Sequence, residues 1–190
     1  MASALMRPAT LDAPTDEDLA AQCVAGDQSA WQVLYDRLFP HVERLVHAVG
    51  VRDADADDVC QEIFVLVHRG LARFRAESRL ATWVYRIATR EAIHFARSRR
   101  RRKVILSLFA REQPAARGHW TDPDAARRHY LRQLLDRLSP ERRMVLVLFE
   151  IEGMPAPQIA EVAGCAEKTV WTRLYRARAD LERIAGEEPK

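Results

Sequence analysis

The sequence predicts an all-α protein: two small helical domains joined by a flexible linker, the C-terminal one a helix–turn–helix domain. Apolar residues recur mostly at the 3.6-residue spacing of a helix, and only 7 glycines and 9 prolines interrupt the 190 residues. Residues 104–124 lack this periodicity and contain Pro114, Gly118 and Pro123. Aperiodic stretches of about twenty residues are uncommon inside a compact domain. The predicted organisation is a disordered tail at 1–13, a helical domain at 14–103, a linker at 104–124 and a second helical domain at 125–186.

Four helices are predicted in the first domain. Thr15 precedes three acidic residues, which is typical of a helix start because acids are favoured at the positive end of the helix dipole. Pro40 is expected to begin or kink the next helix, since proline cannot donate a hydrogen bond from a helix interior. Asp53 and Ser78 are the expected caps of the third and fourth helices. The fourth helix is expected to run into an arginine-rich segment at 97–103.

The second domain contains the most informative segment of the chain, a helix–turn–helix pattern at 158–178. Gly164 suits the left-handed turn between its two helices. The second helix presents a basic, hydroxyl-bearing face that fits a DNA major groove. That face consists of Lys168, Thr169, Thr172, Arg173 and Arg176. The alternative interpretation is an ordinary helical hairpin with a solvated basic face.

Charge is distributed unevenly along the chain. Residues 1–62 contain 12 acidic and 4 basic residues, whereas residues 69–103 contain 12 basic and 2 acidic ones. Blocks of opposite sign indicate two kinds of partner surface. The acidic third helix is interpreted either as a docking face for a basic protein or as an ordinary surface helix with acids at its N-terminus.

The basic block suits a nucleic-acid strand, because cations neutralise phosphates and flat rings stack on exposed bases. The outer face of the fourth helix is predicted to carry Thr82, Arg86, Thr89, Ile93 and Arg97, with Arg90 on the flank. Phe74 lies among Arg73, Arg75 and Arg79 just before this helix. The alternative is a solvated basic face whose aromatic residues belong to the core, and for Trp83 alone the core role is favoured.

Several function classes find no support in the sequence. Cys23, Cys60 and Cys165 are odd in number and far apart, so neither a disulfide framework nor a zinc site is expected. No apolar run approaches the ~20 residues of a membrane span, and no secretory signal is recognised, which predicts a cytoplasmic protein. No phosphate-binding loop, nucleophile elbow or H-E-x-x-H motif occurs, so we expect no cofactor, no metal and no enzymatic activity.

Four sequence blocks carry a family resemblance. Residues 57–64 read DDVCQEIF, close to the pattern D-D-L-V-Q-E-T-F, and residues 82–88 read TWVYRIA, close to T-W-L-Y-R-I-A. Residues 138–143 resemble an L-P-x-x-x-R helix entry, and the helix–turn–helix follows them. In order and spacing, these blocks resemble bacterial RNA polymerase sigma factors of the extracytoplasmic-function (ECF) type, over residues 16–184. Trp171, Pro155 and Pro157 depart from the family pattern, which leaves the promoter sequence open.

The resemblance implies a function and residue roles. A sigma factor binds core RNA polymerase, melts the minus-ten promoter element with region two and reads the minus-thirty-five element with region four, and an anti-sigma protein often holds it inactive. The clamp and flap of polymerase are the implied docking sites, and the implied contacts are Asp57, Asp58, Gln61, Glu62 and Phe64. The implied minus-ten contacts are Phe74, Arg75, Ser78, Arg79, Thr82, Trp83, Arg86, Arg90 and Arg97. The implied minus-thirty-five contacts are the five residues of the helix–turn–helix face. A DNA-binding regulator acting without polymerase is the alternative, which has no need of an acidic third helix.

Overall fold

The computed structural model describes residues 15–52, 54–109 and 123–186, and within them the chain forms eight α-helices and no strand. The all-α prediction is thereby confirmed. The helices are α1 (Asp16–Val24), α2 (Gln28–Val49), α3 (Ala54–Gly70), α4 (Leu80–Phe109), α5 (Pro123–Arg137), α6 (Pro140–Leu146), α7 (Ala156–Ala163) and α8 (Glu167–Gly186). A 3₁₀ turn, Leu71–Arg73, follows α3, and a π-helical turn, Val147–Ile151, follows α6.

Helices α1 to α4 pack around a core that includes Leu34, Val46, Ile63 and Val84, each fully buried. The predicted start of α1 is present as a reciprocal cap. The Thr15 hydroxyl oxygen accepts from the Asp18 amide at 3.1 Å, while the Asp18 carboxylate accepts from the Thr15 amide. These contacts fix the N-terminal edge of the first domain.

The course of α2 differs from the prediction at Pro40. The structure contains one helix from Gln28 to Val49 with Pro40 inside it, rather than a helix that begins there. Proline removes one intrahelical hydrogen bond, but burial of Leu38 and Val42 on either side keeps the helix packed on the core. Tertiary packing therefore outweighs the local cost.

The start and the end of α4 also differ from the prediction. The Leu80 amide at its first turn donates to the Asp16 carboxylate at 2.8 Å, so the acceptor comes from α1 rather than from Ser78. The helix continues to Phe109, which places 104–109 in the helix rather than in the predicted linker. An amphipathic pattern is needed only where a helix packs on a core, so its loss after residue 103 does not mark the end of α4. The expected cap Asp53, the tail 1–13 and residues 110–122 lie outside the described residues.

Helices α5 to α8 build the second domain. Ser139 caps α6 by accepting from the Arg142 amide at 3.4 Å, and Pro140 follows at the first helical position. Gly164 adopts φ +60° between α7 and α8, as the helix–turn–helix pattern predicts. Ile159, Val170 and Leu174 are buried between these helices. The two domains meet where α4 packs on α7 and α2 packs on α6.

Candidate protein and nucleic-acid interfaces

Helix α3 presents an acidic surface. Asp57, Asp58, Gln61 and Glu62 are all exposed on it, as required of residues that contact a partner. Because 3.6 residues make one turn, positions 58, 61 and 62 lie on one side of the helix. The structure thus brings four of the five predicted polymerase contacts to one solvent-facing surface.

Phe64 requires a correction. Its ring is 4% exposed and packs against Tyr35 at a centroid distance of 4.6 Å, with Phe39 and Trp31 alongside. An aromatic ring this deeply packed cannot offer its face to another protein while α3 stays folded on α2. Phe64 therefore holds the acidic helix on α2, and the prediction that it contacts polymerase directly is wrong for this fold.

The segment before α4 forms a compact aromatic corner. The ring centroids of Phe74 and Trp83 lie 5.7 Å apart. Trp83 also packs on Gly70, so closely that a Cβ atom on this glycine would lie 3.2 Å from the indole ring. Both rings are half-buried, so each keeps part of its surface accessible. Ala76 in this loop has φ +54°, an uncommon conformation for a residue with a side chain. Exposed Arg75 and Arg79 flank the corner, and Ser78 is half-buried beside them.

The outer face of α4 is narrower than its sequence predicts. Arg86, Arg90 and Arg97 are exposed and Thr82 is half-buried, but Thr89 is only 3% exposed and Ile93 is half-buried. The cause is that α4 is covered on several sides, by α2 and α3 and also by α7 of the second domain. An amphipathic pattern shows one apolar stripe and carries no sign of a second partner.

Two arginines of the predicted minus-ten set bond to the second domain. Arg86 Nε donates to the Glu161 backbone carbonyl at 2.9 Å, and Arg97 forms an ion pair with Glu141. Each guanidinium has further N–H groups, but these contacts hold both side chains against the second domain. In this arrangement, therefore, the second domain occupies part of the surface predicted to hold promoter DNA.

Helix α8 carries the basic face predicted for the major groove. Lys168, Thr172 and Arg176 are exposed along one side of it, and none of the three forms an ion pair with a described residue. Thr169 and Arg173 are half-buried, and Arg173 Nη1 lies 3.8 Å from Cys165 Sγ in the turn. The face begins close to the N-terminus of the helix, which is the end that enters a groove in helix–turn–helix proteins.

Two aromatic residues of α8 were missing from the predicted DNA-facing set. Tyr175 is 75% exposed and Trp171 is 47% exposed. Trp171 is held by a hydrogen bond from Nε1 to Glu167 at 3.0 Å and by edge contact with Phe149 at 5.4 Å. The sequence already indicated that these two residues share one side of the helix, because they are four residues, about one turn, apart. Apolar contact with a thymine methyl group is one chemistry that such side chains offer in a major groove.

The buried titratable groups of the first domain are structural. Burial raises the pKa of Cys60 to about 11 and that of Tyr85 to about 12, so both stay neutral at ordinary pH. Burial, aided by the Arg44 charge, lowers the pKa of His41. In the part of the chain that the structure describes, no cluster of three or more metal-ligating side chains occurs, and no helix has the length and apolarity to cross a membrane.

Comparison with known families gives two matches on this chain. Residues 34–102 match the family model for Sigma-70 region 2, and residues 128–181 match that for Sigma-70, region 4. The first range contains α3 and the basic part of α4, and the second contains the whole helix–turn–helix. Both matches fall on the surfaces described above.

Curated relatives and solved structures agree with these matches. The ECF RNA polymerase sigma-E factor of Haemophilus influenzae is 31% identical over 178 residues, covering 88% of this chain and 94% of the relative. The Escherichia coli K12 protein of the same name is 32% identical, with 88% and 93% covered. The structure of CnrH in complex with the cytosolic domain of CnrY aligns with TM-score 0.61 at 28% identity, covering 92% of this chain and 99% of that one. The sigma factor RpoE, solved with the anti-sigma factor NepR from Bartonella quintana, shares the fold with TM-score 0.55 at 21% identity, covering 83% and 98%. The chain belongs to the ECF RNA polymerase sigma factors, a family of promoter-specific transcription initiation factors rather than enzymes.

Proposed function

We propose that core RNA polymerase docks on the acidic surface of α3 through Asp57, Asp58, Gln61 and Glu62. The observation that carries this proposal is the separation of charge: a continuous acidic surface on α3 and basic surfaces on α4 and α8. An acidic surface repels DNA phosphate and complements a basic protein. Because polymerase is a cytoplasmic enzyme, the proposed site of action is the cytoplasm.

Reversing the charge at Asp58 and Glu62 tests the polymerase contact. The double variant Asp58→Lys, Glu62→Lys should lose binding to core polymerase in a pull-down while its far-ultraviolet circular dichroism stays unchanged. The control is Glu17→Lys, Glu182→Lys, which changes net charge equally at two exposed acids on α1 and α8. If the first variant binds polymerase as well as the control does, the acidic surface is not the docking site.

In the proposed minus-ten interaction, the aromatic corner of Phe74 and Trp83 holds an unstacked base. Each ring keeps an accessible part, and Arg75 and Arg79 beside them can neutralise the flanking phosphates. Because Arg86 and Arg97 bond to the second domain, the proposed DNA contacts of these two side chains compete with the domain contacts. Thr82 and Arg90 lie on the same side of α4 and complete this proposed surface, with Ser78 in the loop.

The minus-thirty-five interaction is proposed for α8, through its five predicted residues. Arg173→Ala and Arg176→Ala should each weaken binding to promoter DNA by ~1–3 kcal/mol if the side chain contacts a base edge. Run-off transcription with core polymerase measures the effect, and Arg132→Ala, an exposed arginine on α5, is the matched control. If a variant that combines Arg173→Ala with Arg176→Ala supports transcription as well as the control does, α8 is excluded from promoter recognition.

An anti-sigma protein is the proposed regulator. The support is that RpoE was solved with an anti-sigma factor, and CnrH with the cytosolic domain of CnrY. Purification of the affinity-tagged chain from its native cells should recover such a protein, and adding the purified partner should suppress run-off transcription. A co-purifying protein that leaves transcription unchanged would contradict the proposed inhibition.

A further inference from the structure

A cavity of about 570 Å³ lies between the two domains. Its walls come from the end of α2 and the loop after it, the start of α3, the arginine-rich part of α4, the end of α5 and the start of α6. Five arginines and two aspartates supply its charged lining, an excess of three positive charges. They are Arg52, Arg99, Arg100, Arg102, Arg143, Asp55 and Asp136. None of these side chains belongs to the proposed polymerase or promoter contacts.

The two carboxylates neutralise only part of this positive charge. Asp136 is shared between Arg52, at 3.0 Å, and Arg143, while Asp55 pairs with Arg99 at 2.9 Å. Arg100 Nη1 donates to the Leu138 carbonyl at 2.9 Å, which orients its guanidinium without neutralising it. Arg102 has no ion pair with any residue that the structure describes.

Arg143 is the innermost of the five. It is only 6% exposed, and within the described chain its Nε atom has no hydrogen-bond partner. Its guanidinium packs so tightly on Gly50 that a Cβ there would lie 2.9 Å from Nη1. A buried guanidinium with an unpaired N–H group is costly unless an acceptor reaches it. Arg143 lines the cavity, so its positive charge acts there although its Nε atom is itself enclosed.

We propose that this cavity binds a small anion with two or more linked phosphate groups. Arginine is suited to phosphate because its planar fork donates two parallel hydrogen bonds, and an excess of three positive charges is more than one monovalent anion neutralises. The volume lies in the range of small-molecule sites. Phe95, Val51 and Leu138 add an apolar wall that suits a nucleobase. Nucleoside polyphosphates and inorganic polyphosphate share the chemistry that the arginines recognise.

Such an anion links the two domains. Arg52, Arg99, Arg100 and Arg102 belong to the first domain, and Arg143 belongs to the second. A ligand that bonds to both stabilises the arrangement in which they are close, by mass action. That arrangement also keeps Arg86 on the Glu161 carbonyl. If the promoter contacts proposed above hold, the bound anion therefore favours the domain arrangement that competes with the DNA contacts of Arg86 and Arg97.

Isothermal titration calorimetry on the full chain, without polymerase or DNA, tests the proposal independently of promoter recognition. Sodium tripolyphosphate, adenosine triphosphate and sodium sulfate are titrated at matched ionic strength. Tripolyphosphate and the nucleotide should bind with one-to-one stoichiometry and at least about tenfold more tightly than sulfate, because more charge-assisted hydrogen bonds form. Tighter binding of the nucleotide identifies a nucleoside ligand, whereas tighter binding of tripolyphosphate identifies inorganic polyphosphate.

Variants locate the site. Arg52→Gln and Arg102→Gln should each weaken binding about tenfold or more, whereas Arg69→Gln, an exposed arginine of α3 outside the cavity, should leave it unchanged. Circular dichroism confirms that each variant folds. Equal weakening by Arg69→Gln, or the absence of saturable binding by both polyphosphates, would overturn the proposal. Either result leaves the polymerase and promoter experiments unaffected.

Discussion

Asp16 links the start of α1 to the start of α4. Its carboxylate accepts from the Leu80 amide at 2.8 Å and lies 3.6 Å from Arg37 Nη1. Loss of a capping acceptor costs ~1 kcal/mol, and a half-exposed ion pair adds a few tenths. Because the carboxylate lies at the positive N-terminal end of the α1 dipole, it stabilises the fold by a further ~0.3–1 kcal/mol. Asp16→Ala should therefore lower the free energy of unfolding by about 1.5–2 kcal/mol.

The substitution Asp16→Asn separates the cap from the charge. The amide oxygen still accepts from Leu80, so we expect this variant to lose only the ion-pair and helix-dipole contributions, about 0.6–1.3 kcal/mol together. Urea unfolding followed by circular dichroism measures the totals, and amide hydrogen exchange at the start of α4 measures the local effect. Thr15→Ala removes the cap of α1 alone and should leave exchange at Leu80 slow. Equal losses in the alanine and asparagine variants would refute the capping role and assign the effect to charge.

Two further predictions concern the buried parts of the first domain. Gly50→Ala should destabilise the chain by more than the ~1–3 kcal/mol of a strained φ, because φ is +103° and the new Cβ would also lie 2.9 Å from Arg143. Gly26→Ala is the control, because its φ is +89° but no atom beyond the neighbouring residues lies within 4 Å of the new Cβ. Equal losses of unfolding free energy in the two variants, measured by urea unfolding, would contradict the contact with Arg143. The folded-state pKa of Cys60, about 11, exceeds its unfolded value of 9.0, so its contribution to stability is complete below pH 9 and is lost as pH rises towards 11. The free energy of unfolding should fall over this range, by up to ~1.4 kcal/mol per pH unit from this thiol, and less steeply in Cys60→Ala. An unchanged slope in that variant would assign the alkaline loss to other groups.

The sequence by itself determined the helical class, the helix–turn–helix and the separation of charge. Each of these depends on local pattern: the positions of apolar residues within a turn, a glycine that accepts positive φ at 164, and runs of like charge. The exposed acids at 57, 58, 61 and 62 and the basic face of α8 followed from helical geometry alone. Such features need no knowledge of which distant segments meet.

Only the tertiary structure decided which side chains face a neighbouring helix. Asp16 reaches the start of α4 across 64 positions, Phe64 turns into the aromatic core, and Thr89 is buried on a helix that several others cover. Arg143 and Arg52 meet around one cavity although they belong to different domains. The physical reason is that helical periodicity records one apolar stripe per helix. It does not record a second packing partner, a capping group from another helix or the charge that gathers where two domains meet.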